Sequence, residues 1–142
     1  MPKPNPVVAV VREWVVKAEN DLKTAIHTLT LGQDAPTDTV SFHAQQCVEK
    51  YVKALLVWRG TPFPRTHDIR LLTRLLPGKL RPKLDRKMKD RLTEYATVIR
   101  YPGLGTDIPL REVRQAVALA KRVRKEVRRH LPRAAVRGLG RN

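Results

Sequence analysis

From Val40 to Trp58 the apolar side chains return every three or four residues, at Val40, Ala44, Cys47, Val48, Tyr51, Ala54, Leu55 and Trp58. That spacing draws one continuous apolar stripe along a helix and is incompatible with the period-two alternation of a half-buried strand. A stripe of that length is not stable facing water, so the chain is committed to packing helix against helix. The same period recurs on both sides of it. Val8, Val11, Val15, Ala18, Leu22, Ala25 and Leu29 define a helix behind Pro6, with Gly32 at its end. Thr37 or Asp38 can cap the Val40 helix and Gly60 can close it. Pro62 and Pro64 forbid helix in the next segment, after which Asp68 caps a short helix running through Leu72 and Leu75 to Pro77.

Leu84, Met88, Leu92, Tyr95 and Ile99 mark a fourth helix, broken by Tyr101-Pro102-Gly103 and Gly105. Asp107 with Pro109 opens a fifth, whose apolar positions are Leu110, Val113, Val117, Ala120, Val123, Val127 and Leu131. With 7 glycines in 142 residues and no period-two run, strands have no place. The expected fold is all-α, a helical bundle of about five helices, four long and one short. It occupies residues 1–131, and residues 132–142, which hold Arg133, Arg137 and Arg141, are expected to be a basic flexible tail.

The longest uninterrupted aliphatic run, Val7 to Val11, is far short of the roughly 18 apolar residues that a membrane span needs. Lys3 is followed by Pro4 and Pro6 and by no small-residue cleavage site, unlike a secretory signal, so a cytoplasmic protein without a membrane is expected. Cys47 is the only cysteine, which removes an intramolecular disulfide framework, a multi-cysteine zinc site and an iron–sulfur cluster. Charge is the most unusual number: 29 Lys and Arg against 13 Asp and Glu give +16. Residues 1–80 carry 11 basic and 7 acidic side chains, residues 81–142 carry 18 and 6, so the excess lies in the second half. Such a field favours polyanions as partners.

Three segments stand in one order: Phe42-His43-Ala44-Gln45-Gln46-Cys47-Val48-Glu49-Lys50-Tyr51-Val52-Lys53-Ala54-Leu55-Leu56, then Thr66-His67-Asp68, then Arg100-Tyr101-Pro102. Together with Ala18-Glu19-Asn20-Asp21-Leu22 upstream, they resemble the HEPN family over about residues 8–131. The resemblance implies an up-and-down bundle that forms homodimers, acts beside a minimal nucleotidyltransferase in toxin–antitoxin or RNA-processing systems, and was named for suspected nucleotide binding. It also implies that active members cut RNA without a metal through an Arg-x(4–6)-His motif. Here the positions that would complete the motif after Arg100 are Gly105, Thr106 and Asp107, and none is histidine. A carboxylate would repel the scissile phosphate where a histidine can donate and accept a proton. Arg124 and His130 have the right spacing, but on one helix they lie about 120° and about 9 Å apart and cannot meet on one phosphate within a chain.

Beside the apolar stripe of the second helix, His43, Gln46, Lys50 and Lys53 share one polar flank, able to hold a phosphate with two charges and two directed hydrogen bonds, or to pair with Glu49 or Asp68. Arg65 and His67 could join them from the following loop, where His67 could equally fix a turn. Arg100 ends a helix and can bridge to Glu19 or Asp21. His43 and Cys47 are i, i+4, yet only His67 offers a third ligand, so no metal and no other cofactor is expected. Phe42, on the polar side of its helix, is expected to be exposed in a monomer and so to mark a dimer face. Arg111, Arg114, Lys121, Arg122, Lys125 and Arg129 line the outer side of the fifth helix as a nucleic-acid patch. No Gly-rich phosphate loop and no G-x-S-x-G elbow occurs. The sequence therefore points to a HEPN-like nucleotide- or RNA-associated binding protein with a nucleotidyltransferase partner, not to an enzyme. The alternatives are a metal-independent ribonuclease toxin and a basic adaptor that binds nucleic acid through charge.

Overall fold

The computed structural model describes residues 5–104 and 107–140. Gly105, expected in a helix break, and Arg141, expected in the tail, lie outside the described residues. Six helices follow in order: α1 Pro6–Leu29, α2 Thr37–Trp58, α3 Ile69–Arg74, α4 Arg86–Ala96, α5 Leu110–Arg128 and α6 Arg133–Val136. The described residues contain no strand. The five expected helices are present, four long and one short, and α6 is an addition. Among the described residues, no helix is long and apolar enough to cross a membrane.

Local chemistry explains most of the boundaries. Asn5 accepts from the Val7 amide at 2.9 Å with Pro6 at the first helical position, so α1 starts where a donor is missing anyway. Asp68 and Asp85 cap α3 and α4 through the Leu71 and Met88 amides at 3.1 and 2.8 Å. The start of α2 differs from expectation. Pro36 holds the cap position, no side chain caps the helix, and Asp38 instead accepts from the Thr39 amide inside the first turn. The fourth helix stops at Ala96, and Val98–Arg100 forms a single 3-10 turn.

The bundle is built around α2. It packs on α1, its antiparallel neighbour across the 30–36 connection, and then on α5 and α4. Val40, Ala44, Cys47, Val48, Tyr51, Leu55 and Leu56 of α2 are fully buried against Val11, Val15, Ala18 and Ala25 of α1 and Val113, Ala120 and Val123 of α5. This central layer brings the polar flank of α2 under its neighbours.

The segment expected to be a flexible tail is docked. Ala135 is fully buried, and Arg12 of α1 donates to the carbonyls of Ala134 and Arg137 at 3.3 and 2.8 Å. Four helical residues are too few to show a period, and what orders the segment is backbone carbonyls taken up by arginines, which spacing does not reveal.

Burial fixes three acidic protons. It pushes the Cys47 thiol upward, with the Glu19 and Asp21 carboxylates adding to the effect. Burial likewise raises Tyr51, next to Glu19, and Tyr95, whose hydroxyl is hydrogen-bonded to Glu112. The folded chain thus keeps protons that the unfolded chain releases above about pH 8.5 for a thiol and about pH 10 for tyrosine. Stability is fully present below that range and falls as pH rises through it. Thermal melts followed by circular dichroism should show this alkaline loss, and Cys47→Ala should move its onset toward the tyrosine range; an identical pH profile in that variant would show that the thiol does not contribute.

Candidate functional site

Three carboxylates, Asp21 and Glu49 buried and Glu19 partly buried, organise the charged side chains. Asp21 on α1 takes His43 and Lys50 of α2, with His43 Nδ1 at 2.8 Å from Oδ1 and Lys50 Nζ donating to Oδ2 at 2.5 Å. Nδ1–H donates to the carboxylate, which leaves Nε2 as the free nitrogen of the ring. His43 and Lys50 remain about a quarter exposed, at 26% and 23%. They are the accessible part of the flank read from the sequence.

The other part is closed. Glu49 accepts from Lys53 at 2.9 Å, from Gln45 at 3.1 Å and from His67 Nδ1 at 2.7 Å. Lys53 Nζ also lies 5.7 Å from the ring centroids of both Trp14 and Phe63. Gln46 is buried and donates to Gln45 at 2.7 Å. The expectation that Gln46 and Lys53 join His43 and Lys50 in one open stripe is therefore corrected: Gln46 is buried on Gln45, and Lys53 is closed in by Glu49, Trp14 and Phe63. His67 ties the loop to the bundle, and Arg65 beside it is exposed.

Arg100 is exposed on the 3-10 turn after α4. It does not bridge to Glu19 or Asp21, which have other partners; its guanidinium stacks on Phe42, 4.5 Å from the ring centroid. Phe42 is only half exposed, so the reading of it as a bare apolar dimer face is corrected. Its other neighbour is the His43 ring, edge-on at 5.4 Å. One aromatic ring thus carries Arg100 and His43 no more than about 10 Å apart. A cation–π contact leaves the guanidinium N–H groups free to bond an oxyanion.

Glu19 holds the third cluster. Arg124 Nε donates to its two oxygens at 2.9 and 2.8 Å and Nη2 to Oε1 at 2.7 Å, while Arg128 Nη1 donates to Oε1 at 2.9 Å. The Glu19 hydrogen bonds hold Arg124 firmly charged, against its desolvation. Arg124 is thereby removed from any pairing with the exposed His130 inside this chain. Arg128 was missed in the sequence, although a signal existed: Arg124 and Arg128 are one turn apart among Val117, Ala120 and Val127, on the apolar side of α5.

On the opposite side of α5, Arg111, Arg114, Lys121, Arg122, Lys125 and Arg129 are all exposed. At 100° per residue they fall within an arc of about 100° that contains no carboxylate. Arg122 contacts the Lys83 carbonyl and lies 4.0 Å from Glu126; the other five have no ion pair among the described residues. Cys47, fully buried, cannot open toward His43 as a ligand pair.

Against known proteins, the family model described as the HEPN domain matches residues 11–130. The chain belongs to the HEPN family. That places it in a nucleotide- and RNA-related family, and the match spans α2, the His67 loop, Arg100 and all of α5. No curated protein and no solved structure matches the chain. Within this HEPN domain the carboxylates gather the motif residues: Lys53 and His67 each bond Glu49, and His43 and Lys50 each bond Asp21.

Proposed function

We propose that this HEPN protein binds the phosphates of RNA or a nucleotide through Arg100, His43 and Lys50, with the α5 arc as a track for further backbone phosphates. It works as a homodimer beside a minimal nucleotidyltransferase. The observation that carries the reading is Arg100, a cation with no carboxylate partner among the described residues, laid on Phe42 beside His43. Fluorescence anisotropy with labelled single-stranded RNA tests it. Affinity should fall with a log–log salt slope of about 0.7 per phosphate neutralised. Arg100→Ala should weaken binding about tenfold at low salt and lower the slope by about 0.7. Replacing Lys121, Arg122 and Lys125 together with Ala should lower the slope further without changing helicity. If neither variant alters affinity or slope, both surfaces are wrong; if only the α5 variant does, the chain is a basic adaptor that binds through charge.

One observation favours a second reading, a metal-independent ribonuclease. Asp21 holds His43 by Nδ1 and leaves Nε2 as a base near Arg100, supplying the acid–base group that the Arg-x(4–6)-His spacing lacks. Nε2 would take the proton of a ribose 2′-hydroxyl as that oxygen attacks phosphorus, and the P–O5′ bond would break as water gives a proton to the leaving oxygen, leaving a 2′,3′-cyclic phosphate and a 5′-hydroxyl. Cleavage of RNA in excess chelator, absent in His43→Gln and absent with 2′-deoxy substrate, would establish it. RNA that binds but stays intact leaves the first reading standing.

A further inference from the structure

We infer that the cavity between the end of α5 and α6 is a discrete site for a phosphate group. It has a volume of about 370 Å³ and is lined by Arg128, Arg133, Val136, Arg137, Gly138 and Gly140. Three of these six residues are arginines and none is acidic. Arg133 and Arg137 are one helical turn apart, exposed, and without an ion pair among the described residues. Arg12 stands against the same segment, donating to the Ala134 and Arg137 carbonyls. Among the described residues, the carboxylate paired with Arg128 is Glu19, which Arg124 also shares. The surplus of positive charge is therefore local and built into the packing.

Arg128 backs the cavity from the core side. Its side chain is only 7% exposed, and its Nε is the single buried side-chain nitrogen or oxygen without a hydrogen-bond partner among the described residues. The rest of the guanidinium is engaged with Glu19, the Tyr51 hydroxyl and the carbonyls of Val136, Leu139 and Gly140. The donors open to the cavity are those of Arg133 and Arg137, exposed guanidinium groups with N–H groups to spare for an acceptor there. Phosphate fits the demand: it is a compact oxyanion with several acceptor oxygens, matched by forked guanidinium donors. The space suffices for it and a few waters at roughly 30 Å³ each. Gly140 packs directly on the Arg124–Glu19 pair, since a Cβ there would come within 2.5 Å of Arg124 Nη2 and 2.7 Å of Glu19 Oε1. The site shares no residue with Arg100, His43, Lys50 or the α5 arc. Occupancy would add a bridge between α5 and α6.

Isothermal titration of the full chain with sodium phosphate, against sodium chloride at equal ionic strength, tests the inference. With Arg100→Ala as the parent, so that the Arg100 site does not contribute, one saturable site and a dose-dependent rise in melting temperature are expected. The Arg133→Gln, Arg137→Gln double variant, both exposed positions, should keep its circular dichroism spectrum and bind about tenfold more weakly or worse. The Lys121→Gln, Arg122→Gln, Lys125→Gln variant should bind as the parent does. A parallel titration with adenosine monophosphate separates the sources: tighter binding than phosphate assigns a nucleotide's phosphate, equal or weaker binding a free one. No saturable binding, or an equal response in the double variant, overturns the site. Because the RNA experiment reads Arg100 and the α5 arc, each proposal can fail without the other.

Discussion

Glu19→Ala should cost about 3–5 kcal/mol of folding stability, measured by urea unfolding, because it leaves two buried guanidinium groups without their counter-charge. The side chains of Arg124, Arg128 and Glu19 are 10%, 7% and 15% exposed, so water cannot replace the lost carboxylate. Glu19→Gln keeps an acceptor but removes the charge and should fall between the two. The effect should also be local. Arg128 holds the carbonyls of Val136 and Leu139, and amide exchange at residues 133–139 should quicken more than at the centre of α2. Replacing Glu19, Arg124 and Arg128 together by apolar residues should cost far less than Glu19→Ala, since desolvation of the ions disappears with them. A loss below about 1 kcal/mol for Glu19→Ala, the range of an exposed pair, would show that solvent reaches the cluster.

The second large effect belongs to Glu49. Its side chain is 4% exposed and that of Lys53 9%, so Glu49→Ala strands a buried ammonium and the Gln45 amide. A loss of about 3 kcal/mol is expected. His67 adds little to that figure, being 47% exposed on the side chain, but it is what pins the 60–68 loop. With Glu49 gone, Phe63 should lose its edge-on contact with Trp14, now at 6.1 Å between centroids. A red shift of tryptophan emission before global unfolding would register it, and an unchanged spectrum would mean that the loop is held by other contacts.

These two hubs also mark where the sequence could be read and where it could not. Periodicity placed Val40, Ala44, Cys47, Val48, Tyr51 and Leu55 in the core, and all six are fully buried. Asp68 and Gly60 stood where their capping chemistry required, Gly60 with a φ of 70°. A single helix, however, cannot say which of its polar flanks a neighbour will cover. Spacing grouped Lys53 and Gln46 with His43 and Lys50, and only the fold separates them, with Gln46 buried on Gln45 and Lys53 closed in by Glu49, Trp14 and Phe63. Arg100 shows the complementary difficulty: its expected carboxylates were plausible by charge, but Arg124 and Arg128 claimed Glu19 from the other side of the bundle. Those arginines were legible as an i, i+4 pair within an apolar face, which is the pattern of a buried ion pair and not of a patch.

The sharing of Glu19 among α1, α5 and the 136–140 segment has a consequence for the order of assembly. The α1–α2 hairpin joins elements close in sequence, and in it alone the Glu19 carboxylate stays hydrated at little cost. Arg124 is 105 residues away along the chain and Arg128 is 109, so their contacts close long loops and form late. Interactions completed after the rate-limiting step slow unfolding and leave the folding rate nearly untouched. The cluster therefore governs how long the bundle lasts once formed, not how quickly it forms.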